Sequence, residues 1–222
     1  FKGASQPTIE KLTFKIPAGQ KVALVGKMGS GKSTMSKLIA GMIEPTSGSV
    51  LIDGVDVRQI DSADIRKNVG IMLQDTWLFS GTIRENIQMG FNEYDDDHIL
   101  KVCKVAGVDD FVGSDTKGYE LELRERGEGL SGGQRQTINL ARSLLHDPSI
   151  VLLDEPTSSM DQATETSVVN SLQEFCAEKT MVLVTHRNPI LAIVDRVFVI
   201  ENGKVIADKT PTQLGIKKAV GE

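Results

Sequence analysis

The segment Gly26-Lys27-Met28-Gly29-Ser30-Gly31-Lys32-Ser33, followed by Thr34, constrains this chain more than any other. Before it lies the apolar run Lys21-Val-Ala-Leu-Val25. After it, Met35, Leu38, Ile39 and Met42 recur at helical spacing across Ser33–Met42, until Pro45 and Gly48 break the pattern. A buried strand, a glycine-rich turn and a helix in that order bring backbone N–H groups together at one point. Glycines let the backbone approach closely, and the helix start adds its positive dipole end. The spacing G-x-x-x-x-G-K-[ST] therefore predicts a phosphate cradle. Lys32 would reach the β- and γ-phosphates of a nucleotide, and the Ser33 hydroxyl would bind Mg²⁺.

Such a loop requires an acidic partner, and Ile150-Val-Leu-Leu-Asp154-Glu155 supplies one. The apolar strand delivers Asp154 to its C-terminal end, where it can hold Mg²⁺ directly or through water. Glu155 comes next and can polarise the attacking water. Further strands are expected at Val69–Leu73, Met181–Thr185 and Val197–Glu201, with hairpins closed at Asp53-Gly54 and Asn202-Gly203. The stretch from about Thr82 to Leu145 has helical patterning and an acidic patch at Asp95-Asp96-Asp97, and reads as a mostly helical insertion. Strands separated by helices imply an α/β core with a largely parallel sheet.

The length of 222 residues suits one domain, or one domain with a small subdomain. With 25 basic against 30 acidic residues the formal net charge is −5, which does not favour a nucleic-acid binder. Cys103 and Cys176 have no metal-ligand spacing and are expected as ordinary packing residues in a reducing compartment. His98 and His146 fall in no motif and are expected at the surface. No run approaches the roughly 18–20 apolar residues of a membrane span. The chain opens at Phe1 without an initiator Met or targeting segment, so it reads as a piece of a longer protein.

Leu130-Ser131-Gly132-Gly133-Gln134, just ahead of Ile150–Glu155, resembles the signature of ATP-binding cassette (ABC) ATPases. Gln74 resembles that family's Q-loop glutamine, which touches Mg²⁺. Ser158-Ser-Met-Asp161 resembles its D-loop, with Met where Leu is commoner, and His186 in Val184-Thr-His-Arg resembles its switch histidine, which contacts the γ-phosphate. The motifs stand in the family's order across essentially the whole chain. The resemblance implies an α/β P-loop NTPase (RecA-like) core with an antiparallel β-subdomain and an inserted α-helical subdomain. Residues of about 1–80 and 146–222 would form the core, and about 81–145 the helical part carrying the signature. It implies an ATPase with ATP and Mg²⁺ as its ligands. Lys32, Gln74, Glu155 and His186 would be catalytic, Ser33, Gln74 and Asp154 would hold the metal, and Gly26 through Thr34 would cradle the phosphates. Ser131, Gly132, Gly133 and Gln134 would serve the nucleotide of a second copy in a head-to-tail dimer. Phe1 stands where the family usually stacks adenine on Tyr.

Asp75-Thr-Trp-Leu-Phe-Ser-Gly-Thr-Ile-Arg-Glu-Asn-Ile87 resembles the exporter segment that meets the transmembrane domain, with Trp77, Leu78 and Phe79 forming an exposed patch or else packing into the helical insertion. Leu121–Gly127 resembles the exporter X-loop, with Arg124 replacing the usual Gly; a solvated charge run is the alternative. Gly127–Gln136 and Asp53–Ile60 resemble type I secretion ATPases. The resemblance then implies an exported protein or peptide, and a transmembrane domain N-terminal in the same polypeptide. It places the chain at the cytoplasmic face of a bacterial inner membrane. Alternatives are an exporter of lipids, peptides or drugs, a soluble ABC ATPase acting on DNA or ribosomes, and a binding module with a silent ATPase.

Overall fold

Strands buried on both faces need no alternation of polar and apolar residues, and the apolar runs of this chain are of that kind. The computed structural model describes residues 8–75, 77–91, 93–113 and 117–216. In chain order, β1 (Lys21–Val25) turns through the glycine-rich loop into α1 (Lys32–Ile39). A hairpin of β2 (Leu51–Ile52) and β3 (Val55–Asp56), the helix α2 (Ser62–Asn68) and β4 (Val69–Met72) come after it. Next are β5 (Gly81–Thr82), α3 (Ile83–Gln88), α4 (Asp96–Ala106), α5 (Asp109–Val112), β6 (Glu122–Leu123) and α6 (Gly132–Leu144). The chain then returns as β7 (Ile150–Asp154), α7 (Gln162–Phe175), β8 (Thr180–Val184), α8 (Asn188–Leu191), β9 (Arg196–Glu201) and β10 (Lys204–Lys209).

The main sheet has the order β10-β9-β1-β8-β7-β4. All its neighbours are parallel except β10, which runs antiparallel to β9. Alternate residues of one strand feed opposite layers. Val22 and Leu24 join Met35, Val182, Val184 and Phe198 on the α1 side. Ala23 joins Leu153, Leu183, Ile138, Leu140 and Leu172 on the side covered by α4, α6 and α7. Both hairpin turns use paired left-handed residues, Asp53 (φ 50°) with Gly54 (84°) and Asn202 (48°) with Gly203 (72°), as the sheet twist favours. Other antiparallel pairing among the described residues is confined to β2–β3 and β5–β6.

The acidic patch turns out to start a helix. Asp95 caps α4 by accepting from the His98 N–H, and Asp96 and Asp97 sit in the first turn, where the dipole favours negative charge. The first helix is shorter than its spacing predicts: it ends at Ile39 because Gly41 (φ 66°) turns left-handed, and Met42 is left half-exposed. His98 and His146 are not surface residues. They are half-buried where α4 meets the end of α6, with His98 Nε2 2.5 Å from Leu145 O and His146 Nδ1 2.5 Å from the Tyr94 hydroxyl. The Tyr94 and His98 rings stack at 4.8 Å, filling the joint. Burial pushes the Cys103 thiol up to about 12 and Cys176 to about 11, so both are inert packing residues.

Strand β4 lies unusually close to the end of α6. A Cβ at Gly70 would stand 2.1 Å from Ser143 O and 2.6 Å from Pro148 Cγ. Neither is the loose end of a side chain, so Gly70→Ala must separate strand from helix. The expected loss is about 1–3 kcal/mol, a figure typical of overpacking, read as a lowered midpoint in thermal or urea melts.

Candidate functional site

Parallel pairing sends the C-terminal ends of β1, β8, β7 and β4 to one edge of the sheet. The residues at and just past each strand's end are therefore gathered there: Gly26 after β1, Thr185 and His186 after β8, Asp154 and Glu155 at the end of β7, and Gln74 beyond β4. In the glycine-rich loop, Gly29 (φ 79°) and Gly31 (φ 102°) take conformations that other residues rarely adopt. Met28 is fully exposed and Ser30 buried. The Lys32 ammonium lies across the loop and donates to Gly26 O at 2.7 Å and Lys27 O at 2.9 Å. The loop is braced from β9–β10, where the Gly203 N–H donates to Ser30 O at 3.0 Å.

Asp154 is 2% exposed. Burial is the main influence on its carboxyl and pushes it above the usual carboxylate range, against a hydrogen bond from Ser33 and the charge of Lys32. A buried acid hydrogen-bonded to a hydroxyl offers hard oxygen donors to a cation. That arrangement fits Mg²⁺ shared between protein and phosphate oxygens.

Glu155 is held in the left-handed region (φ 51°), where a non-glycine residue is uncommon. Its own N–H donates to Val184 O at 2.7 Å, and its carbonyl accepts from Gln136 Nε2 at 3.0 Å. Its carboxylate accepts from Thr185 Oγ1 (3.3 Å) and lies 2.8 Å from His186 Nδ1. A carboxylate only accepts, so Nδ1 carries the hydrogen and Nε2 is left for another partner. The His186 side chain is 80% exposed, against 13% for Glu155. This is a base candidate oriented by two neighbours at a strained backbone position.

The start of α6 carries a capping box. Ser131 Oγ accepts from the Gln134 N–H at 3.1 Å, and Gln134 Oε1 accepts from the Ser131 N–H at 2.8 Å. Gly132 and Gly133 then press on Ser159, where a Cβ at Gly133 would be 3.0 Å from Ser159 O. Phe1 lies outside the described residues. Trp77, Leu78 and Phe79 divide between the two expectations. Leu78 is buried, while Trp77 and Phe79 are half-exposed beneath the guanidiniums of Arg126 (4.7 Å) and Arg142 (5.8 Å). Gln136, Thr157, Glu165 and Arg187 belong to the same constellation and were missed. Their types are ordinary on a helix or after a strand, and only the fold brings them together.

A family model described as ABC transporter matches residues 9–158. The uncharacterised ABC transporter ATP-binding protein YfiC of Bacillus subtilis (strain 168) is 40% identical over 201 residues, covering 90% of this chain and 33% of that protein. The chain belongs to the ABC transporter family. The B. subtilis protein YgaD, named for multidrug export as an ATP-binding/permease protein, is 39% identical over 93% of this chain and 36% of its own length. A solved bacterial Atm1-family ABC exporter with ATP bound superposes with a TM-score of 0.88 at 33% identity, over 93% of this chain and 36% of that one. The chain thus spans about a third of the length of the relatives it matches; it is an ATP-binding domain of the ABC transporter family, an ATPase, with that family's P-loop fold.

Gly26 lies against β9, where a Cβ would stand 2.2 Å from Ile200 O and 2.8 Å from Ser30 Oγ. Gly26→Ala is expected to push the loop off the sheet and weaken ATP binding about tenfold or more, roughly 1.4 kcal/mol, measured by titration with a fluorescent ATP analogue.

Proposed function

We propose that this chain is the motor domain of an exporter, in which ATP binding joins two copies head to tail and hydrolysis releases them. The observation that carries the reading is the Glu155–His186 pair standing beside the Ser33–Asp154 pair at the edge that also holds the phosphate loop. Gly26 through Thr34 would cradle the phosphates, with Lys32 leaving its backbone acceptors for phosphate oxygens. Ser33 and Asp154 would hold Mg²⁺, with Gln74 completing the set. Bound Mg²⁺ supplies neutralisation of the charge that develops on the phosphate oxygens. Glu155 would align and polarise water while His186, fixed through Nδ1, offers Nε2 toward the γ-phosphate. The N–H groups of Gly132 and Gly133 and the Ser131 hydroxyl would serve the second copy's nucleotide from the start of α6. Residues 81–145 would act as the helical arm and the remainder as the core.

The relatives' names, which join ATP-binding with permease, support a transmembrane partner in the same polypeptide and a position at the cytoplasmic face of a membrane. No helix among the described residues is long and apolar enough to cross a membrane. The half-exposed Trp77 and Phe79 are the surface that would meet that partner. Two cargo readings stand. The segments Gly127–Gln136 and Asp53–Ile60 support a protein or peptide, as in type I secretion. Relatives named for multidrug export support a small apolar cargo. Stimulation of ATP turnover in the intact protein by hydrophobic drugs, and not by unfolded polypeptide, would decide for the second.

Glu155→Gln keeps shape and hydrogen-bonding reach while removing the negative charge. Turnover is expected to fall about 100-fold or more, on the scale of a lost general base, with ATP still bound and an ATP-dependent dimer accumulating in sizing or light-scattering experiments. Hydrolysis at the parent rate would remove Glu155 from its role. Chelating Mg²⁺ with EDTA is expected to abolish turnover in the parent.

A further inference from the structure

We propose that Arg187 and the buried Glu165 form a clamp that positions the Glu155–His186 pair for hydrolysis and ties that position to the start of α6. The proposal rests on the hydrolytic roles assigned to Glu155 and His186 and adds two positioning residues to them.

Glu165, in the first turn of α7, is 2% exposed, although nothing about its place on the helix demands a buried acid. Both of its oxygens are used. Oε1 accepts from Thr157 Oγ1 at 2.8 Å, and Oε2 pairs with Arg187 Nη2 at 2.7 Å. The other Arg187 nitrogen, Nη1, donates to Thr157 O at 2.6 Å and, at the limit of range, to Met160 O at 3.5 Å. The guanidinium fork thus grips the chain reversal 157–160 and the helix behind it at once, which a point charge could not do.

Arg187 is the residue after His186. Its N–H donates to Thr185 Oγ1 at 3.1 Å, and that hydroxyl donates to Glu155 Oε2 at 3.3 Å. Both chain neighbours of His186 are therefore fixed, Thr185 by burial and Arg187 by the clamp. The imidazole itself is mostly exposed and has little packing to place it. From the other side, buried Gln136 donates through Nε2 to Glu155 O and to Ser158 Oγ (2.7 Å), and its Oε1 accepts from the Ser159 N–H (2.9 Å). One hydrogen-bonded circuit runs from α6 through residues 157–160 and Arg187 to His186 and Glu155.

Stability alone gives no reason for this pair. Desolvation of the buried Glu165 and the partly buried Arg187 commonly cancels their attraction, and apolar residues of similar volume hold a fold as well or better. What apolar residues cannot supply is the set of directed bonds to Thr157 and Met160.

The test is ATPase kinetics and thermal melting of the intact protein in three variants. Arg187→Lys keeps the charge but loses the fork. The double variant Arg187→Met with Glu165→Met keeps volume without either charge. Glu155→Gln is the control. In the first two, kcat is expected to fall about tenfold, with KM for MgATP within about twofold of the parent and the melting midpoint nearly unchanged. Parent-like kcat in either folded variant, with Glu155→Gln slow, overturns the clamp. A fall in kcat that comes only with a matching fall in melting midpoint also overturns it, because the pair is then structural. Should the double variant fail to fold, Arg187→Lys decides alone. Parent-like turnover in Glu155→Gln would instead overturn the assignment on which the clamp rests.

Discussion

Parallel pairing of β1, β8, β7 and β4 is the constraint on which everything else depends. A parallel sheet cannot be built from hairpins. Each strand must be re-entered from the far end, so every strand's exit lies at one edge. The register Ala23↔Leu183 and Leu153↔Leu183 brings the three central exits level. The phosphate loop ends 120 residues before Asp154, and His186 comes 31 residues after Glu155, yet they meet without any long loop having to be ordered. The dense apolar layers on both faces keep that edge rigid.

Rigidity there has an electrostatic consequence. Asp154 is held in a place that disfavours its charge, with Ser33 and Lys32 only partly offsetting the burial. Left to stability, the position would be apolar, like Val151, Leu152 and Leu153 before it. A carboxylate kept short of compensation binds a cation more strongly than one already paired, because the cation relieves a cost that the fold has already met. Glu155 repeats the pattern with backbone strain: its left-handed conformation persists because Val184 holds its N–H and Gln136 its carbonyl, while Thr185 holds its carboxylate.

Much of this was legible in the residues. The five parallel strands appear as apolar runs because burial on both faces removes the need for alternation. The two hairpins appear because Asp-Gly and Asn-Gly suit paired left-handed turns. The phosphate loop appears because its glycines carry a steric requirement at fixed spacing. What was not legible depends on contacts between distant segments. Nothing at Glu165 or Arg187 distinguishes an ion pair with a buried acid from two solvated side chains until α7 is laid against the end of β8. His98 and His146 look like surface residues until α4 meets α6 and Tyr94 enters between them. The split of Trp77, Leu78 and Phe79 needs Gly127 and Arg135 as well: a Cβ at Gly127 would stand 2.9 Å from Leu78 Cδ1 and 3.1 Å from Arg135 Cδ, so buried Leu78 packs there while its neighbours stay half-exposed.

Glycine shows how one residue type carries different messages. Gly29 has open space around it, and its requirement is conformational, since φ lies at 79°. Gly132 and Gly133 have ordinary helical backbone, but a Cβ on either would press on Ser159. Reading those two glycines only as an anion cradle misses half their reason. They also let the start of α6 settle onto residues 158–160, close enough for Gln136 to reach the carbonyl of Glu155. A larger residue at Gly133 would lift the helix from that reversal and strain the Gln136 contacts together. The glycines proposed to offer N–H groups to an anion are thus the same ones that couple the helix to the acidic pair, so a side chain added at either for one purpose would disturb the other.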